Sequence, residues 1–140
     1  MNTRWWIFLG LVLFMGGGMV ISNREAIIQR IARAIAFAEG FPVAGSRPAR
    51  NHNPGNLTLD LTGKAVGMDG MYVVYSNDVD GFEALEKQVR LMFGGSRIYH
   101  AGMTIMDIAR RYTTTEQNSW ARNVAHYLNI QPTTKLSEIV

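Results

Sequence analysis

One glutamate stands where helix rules would not place an anion. Ile35-Ala36-Phe37-Ala38-Glu39-Gly40-Phe41 reads as the end of an amphipathic helix, and a run rich in Gly, Pro and Asn follows, closing on Asn51-His52-Asn53-Pro54-Gly55-Asn56-Leu57. The C-terminal end of a helix carries partial negative charge and disfavours a carboxylate. Apolar neighbours add a desolvation cost, and both effects raise a carboxyl pKa. A carboxylic acid that keeps its proton near neutral pH is the donor that glycoside cleavage requires. Glu39 is therefore the leading candidate for a catalytic residue. Asn51, Asn53 and Asn56 have the donors and acceptors to bind sugar hydroxyls and acetamido groups, and equally to satisfy their own loop backbone.

Other chemistries find less support. The chain has no cysteine, so thiol nucleophiles, disulfides and thiolate metal sites are excluded. His52, His100 and His126 fall in separate elements without ligand spacing, so no metal and no cofactor are expected. A net charge of +3, spread over dispersed arginines, is too weak to argue for nucleic acid. A second catalytic carboxylate, which a two-acid hydrolase would hold about 5–9.5 Å from the first, has no clear claimant. Asp60 and Asp69 flank a hairpin loop, and Asp78 and Asp80 look like helix caps.

The elements that must position Glu39 follow from periodicity. Ser22 and Glu25 fit a capping box opening a helix whose apolar face is Ile27, Ile28, Ile31, Ala32 and Ile35. At about 100° per residue, Glu39 falls within roughly 20° of Ile28 and Ala32, so it points to the buried side. Gly40 is a natural helix stop. Residues 41–56 read as an irregular loop, and Asn53-Pro54-Gly55-Asn56 as a tight turn. Leu57-Thr58-Leu59 and Met71-Tyr72-Val73-Val74-Tyr75 are strand candidates, with the link Thr62 to Gly70 making a hairpin. A second helix capped by Asp78 or Asp80 buries Phe82, Leu85, Val89 and Met92, and ends at Gly94-Gly95. Thr104 caps a third, with Ile105, Ile108, Ala109 and Tyr112. The last carries Trp120, Val124, Tyr127 and Leu128, and residues 131–138 cap the domain. The expected class is α+β, mainly helical.

The chain of 140 residues has room for one such domain, 23–140, behind an N-terminal segment, 1–22. Trp5 to Ile21 is uncharged throughout, and its length is near the low end of a transmembrane helix. The opening tryptophans suit a membrane interface, and no A-x-A cleavage pattern follows. A retained single-pass anchor in a lipid bilayer is therefore favoured over a signal peptide. A positive-inside count over Arg24, Arg30 and Arg33 would hold the domain in the cytoplasm, but these belong to the first helix, so orientation stays open.

The ordered set Ala38-Glu39-Gly40-Phe41, Arg50-Asn51-His52-Asn53-Pro54-Gly55-Asn56-Leu57, Tyr72-Val73-Val74-Tyr75-Ser76, Gly81-Phe82-Glu83-Ala84-Leu85, Ala109-Arg110-Arg111-Tyr112 and Asn123-Val124 resembles the lysozyme-like domains of phage and prophage peptidoglycan hydrolases, among them virion-associated lytic transglycosylases. The resemblance spans roughly Ile27 to Ile139, and its most specific piece is the Asn-Pro-Gly-Asn-Leu turn. It implies a lysozyme-like fold in which Glu39 is the catalytic acid, Tyr75 and Ser76 line the cleft floor, and Tyr112 positions sugar or glutamate. With Asn53 and Asn56, these make the expected substrate-binding set. Gly40 departs from the family, where many transglycosylases carry Ser after the glutamate. The implied activity is cleavage of the β-1,4 bond between N-acetylmuramic acid and N-acetylglucosamine, with a single glutamate, by a protein anchored in a virion or host inner membrane and facing peptidoglycan. Glycan strands are its expected partner, with other virion proteins in a particle. The competing expectation is a membrane-anchored virion or envelope protein that binds glycan without cutting it.

Overall fold

The computed structural model describes residues 23–140. The expected anchor Trp5–Ile21 and the Ser22 cap lie outside the described residues. Among those described, no helix is long and apolar enough to cross a membrane. The fold is mainly helical with one small antiparallel sheet, an α+β arrangement.

Helix α1 runs through residues 23–38 and supplies Ile28, Ile31, Ala32, Ala34, Ile35 and Ala36 to the core, while Arg24, Gln29, Arg30 and Arg33 stay exposed. Burying an Ile or Leu fully contributes about 1.5–3 kcal/mol, so this face anchors the helix. Glu25 reaches across to Arg90, 2.6 Å away. The helix stops as its sequence demands: Gly40 takes φ +81°, its N–H donates to the Phe37 carbonyl, and the Phe41 N–H donates to that of Ala36. Those two bonds close a helix on a left-handed residue and make Glu39 its last, capping position.

The loop after α1 is more ordered than expected. It contains a short helix α2, Arg47–Arg50, capped by Ser46, with Pro48 in its first turn where the missing N–H costs nothing. The turn at 53–56 is present, the Asn56 N–H donating to the Asn53 carbonyl at 2.9 Å.

The hairpin takes its first strand from a different segment than the sequence reading expects. Strand β1 is Gly67–Asp69 and pairs antiparallel with β2, Tyr72–Val74. Leu57–Leu59 is no strand, although the Leu57 carbonyl accepts from the Val73 N–H. The cause is Asp60, whose carboxylate accepts from the backbone of Thr62, Gly63 and Ala65 and folds the intervening chain into a turn. Side-chain bonding of this kind competes directly with strand pairing.

Helix α3, Asp78–Phe93, is capped by Asn77 rather than by either aspartate; Asp78 and Asp80 sit in its first turn, where negative charge suits the helix end. Helix α4, Ile105–Tyr112, opens with the Thr104–Asp107 capping box. Helix α5 is Gln117–Leu128, and Asn129 ends it in the left-handed region. A final 3-10 turn, Leu136–Glu138, buries Leu136 and bridges Lys135 to Thr104. Residues of α1, α3, α4 and α5 form the main core, and Leu57, Val73, Tyr75 and Ala84 a smaller one beneath the hairpin.

Candidate active site

Three segments converge on Glu39. Its half-buried carboxyl accepts a hydrogen bond from the Trp120 indole of α5, Nε1 to Oε1, at 2.9 Å. The Trp120 ring lies against Tyr112 of α4, with centroids 5.0 Å apart. The Tyr112 hydroxyl donates to the Gly55 carbonyl at 2.6 Å and ties the Asn-Pro-Gly-Asn turn to the same cluster.

That turn is held by side-chain bonds and close packing. Asn53 is fully buried: its Nδ2 donates to the Leu57 and Val73 carbonyls, and its Oδ1 accepts from the Leu57 N–H. A Cβ on Gly55 would lie 2.6 Å from Leu85 Cδ1 and 2.8 Å from the Tyr112 hydroxyl, so glycine serves here for space rather than for an unusual φ, and any larger residue must displace those side chains. A Cβ on Gly81 would likewise collide with the His52 carbonyl and Pro54, so it is the glycine that lets the turn sit directly on α3. Asn56 adopts φ +51°, a conformation Asn tolerates well. Its Oδ1 is buried without a hydrogen-bond partner among the described residues.

The electrostatics follow from this enclosure. Burial lifts the Glu39 pKa above its ordinary 4.5; the Trp120 indole and the Asn56 side chain both favour the anion and pull it back without cancelling the rise. Tyr112 is held well above the usual phenol range, by burial first and then by the Glu39 charge and Tyr99. The phenol thus stays protonated as a donor to Gly55. Asn56 and Tyr112 also line a cavity of about 350 Å³, together with Leu57, Gln88, Tyr99 and Arg111. The size is ordinary for a ligand site.

The expected site residues separate into two groups. Glu39, Asn56 and Tyr112 come together. The amide of Asn53 is consumed by the backbone of Leu57 and Val73. Tyr75 is 1% exposed, and its hydroxyl donates to Asp60 at 3.3 Å. Burial first, then the Asp60 carboxylate, pushes its pKa up to about 12. A ring so enclosed belongs to the small core rather than to a cleft floor. Ser76 is exposed, but it bonds Asp80 and Asn77 at the start of α3. Asn51 is buried and bonded to Asp69. Trp120 is a partner that the sequence reading named only as part of the last helix; nothing local to position 120 signals a contact with residue 39.

The four aspartates considered as a second acid all have structural partners. Asp60 organises its turn, Asp69 receives Asn51, Asp78 pairs with His52 at 2.7 Å, and Asp80 lies 3.8 Å from Lys64. Among the described residues no three His, Asp or Glu side chains cluster as a metal site. Comparison of the chain with protein-family models, with curated proteins and with solved structures gives no match in any of the three.

Proposed function

We propose that this chain is a membrane-anchored, lysozyme-like enzyme that cleaves the β-1,4 MurNAc–GlcNAc bond of peptidoglycan with Glu39 alone, as a phage lytic transglycosylase. The observation that carries the reading is a half-buried carboxyl of raised pKa, held between Trp120 and Asn56, with Asn56 and Tyr112 of the same cluster also lining a cavity. In the first step the Glu39 O–H gives its proton to the glycosidic oxygen, and the C–O bond breaks to leave an oxocarbenium-like sugar. The Glu39 carboxylate then takes the proton of a muramyl hydroxyl, whose oxygen closes on the anomeric carbon. One residue serves as acid and then base, which agrees with the structural commitments of Asp60, Asp69, Asp78 and Asp80. The Gly40 departure from the family pattern has a local reason, since the helix stop needs φ +81° there.

A second reading is favoured by one bond. The Trp120–Glu39 contact would also suit a glutamate kept as a structural acceptor in a glycan-binding module without activity. Zymography on peptidoglycan with the full-length chain and Glu39→Gln separates the two. The enzyme reading expects clearing by the wild type and none by a folded Glu39→Gln. Clearing that survives the substitution removes Glu39 as catalyst, and absence of clearing by both favours the binding module. Mass spectrometry of released products assigns the reaction: an anhydro end is expected, and a reducing end would mean hydrolysis.

A further inference from the structure

We infer that Arg111 selects an anionic glycan at the cavity that Asn56 and Tyr112 share with the Glu39 cluster, by pairing with a carboxylate borne on the muramyl unit. The inference rests on the glycosidase reading for its substrate and on the cavity wall for its chemistry. Of the described residues lining that cavity, Arg111 is the only charged one; the others are apolar or neutral, with Gln88, Ser96, Thr58 and Asn56 offering uncharged hydrogen-bonding groups. Such a wall suits a sugar with hydroxyl and amide substituents and one acid.

Among the described residues no ion pair holds the Arg111 guanidinium, although Asp107 is near enough to feel its charge. Arg110, its neighbour, lies 3.5 Å from Asp107. Asp107 in turn is committed to the Thr104 capping box. Arg111 makes no ion pair among the described residues and is exposed. It adjoins Tyr112, which with Asn56 joins the cavity to the Glu39 cluster. A planar guanidinium with paired donors is the side chain best shaped to hold a carboxylate. The carboxylate has two sources on peptidoglycan, the peptide stem and the lactyl group exposed once the stem is removed. A structural role also exists, since a cation in the last turn complements the α4 terminus. That role would lower turnover on every substrate alike.

The test measures kcat and KM of the full-length chain, wild type, Arg111→Gln and Arg111→Lys, on intact peptidoglycan and stem-free glycan strands, and the binding of the same chains to three glycans: these two and insoluble chitin, a neutral polymer without the muramyl bond. The expected result is a binding preference for the anionic glycans that Arg111→Gln reduces about tenfold, with a matching rise in KM and partial rescue by Arg111→Lys. Added salt should erode the wild-type preference and leave that of Arg111→Gln little changed. A selective loss on intact peptidoglycan points to the stem, and one on stem-free strands to the lactyl group. An equal loss of binding to all three glycans, or no loss on any, overturns the proposal. Should the wild type cleave nothing, sedimentation with the same polymers decides: weaker binding of Arg111→Gln to the anionic ones alone sustains Arg111 while the enzyme reading fails. Equal binding by wild type and variant overturns it.

Discussion

Two carboxylates in this molecule have opposite surroundings. Asp60 accepts five hydrogen bonds, from three backbone N–H groups and the hydroxyls of Thr62 and Tyr75. Burial alone would raise its pKa, but the donors of Ala65, Thr62 and Gly63 together hold it below the usual 3.8. Glu39 has the Trp120 indole and the Asn56 side chain, too little to offset its burial, and its pKa moves up. A saturated carboxylate is fixed as an anion and serves the fold. An undersupplied one can exchange a proton, which is what an acid catalyst must do. Where the hairpin turn uses its acid to build structure, the end of α1 carries its acid at some cost in stability.

The largest effect that would break this contrast is steric. Gly55→Ala places a methyl against Leu85 and the Tyr112 hydroxyl, and should destabilise the domain by about 3 kcal/mol in denaturant melts. Activity should fall with it, because Tyr112 supports the Trp120–Glu39 pair. Next, Asp60→Asn keeps the size but at best turns the oxygen facing the Ala65 N–H into a donor, costing about 2 kcal/mol at pH 7. The Asp60 folded pKa lies below its unfolded value, so its contribution is present above about pH 3.8 and lost as pH falls through the folded pKa. Melts of wild type and variant should therefore converge in acid.

Glu39→Gln should act the other way. The folded pKa of Glu39 is raised, so its contribution to stability is full below about pH 4.5 and is lost as pH rises through the folded pKa. The variant, which does not titrate, should match the wild type near pH 4 and exceed it at neutral pH, where the wild type carries a buried anion. The smallest effect sharpens the picture. Trp120→Phe removes a donor that favours the anion, so the Glu39 pKa should climb further and the alkaline limb of the rate profile should move to higher pH. A limb unmoved by that change would mean that another group carries the proton.

The sequence made the Glu39 side of this contrast legible. Helical periodicity pointed residue 39 inward, Gly40 marked the stop, and the Asn-Pro-Gly-Asn turn announced itself through its own residue types. The Asp60 side was not legible, because five donors gathered by one side chain leave no periodic trace, and the expected strand at Leu57–Leu59 fails for that reason. Helix α2 hid behind Pro48, which reads as a loop marker yet fits a first turn. The aspartates at 78 and 80 looked like caps, whereas Asn77 took the position one residue earlier. Asn53 and Asn56 looked alike, but only the fold distinguishes an amide consumed by Leu57 and Val73 from one beside the glutamate. Trp120 is 81 positions from Glu39, and only packing of α5 beside α1 brings them together.

The most direct test of the account is quantitative release of muropeptides from peptidoglycan by the full-length chain and by Glu39→Gln, each shown to be folded by its melt. The account predicts release by the wild type and a loss of at least about a hundredfold in the variant. Undiminished release by a folded Glu39→Gln would contradict it.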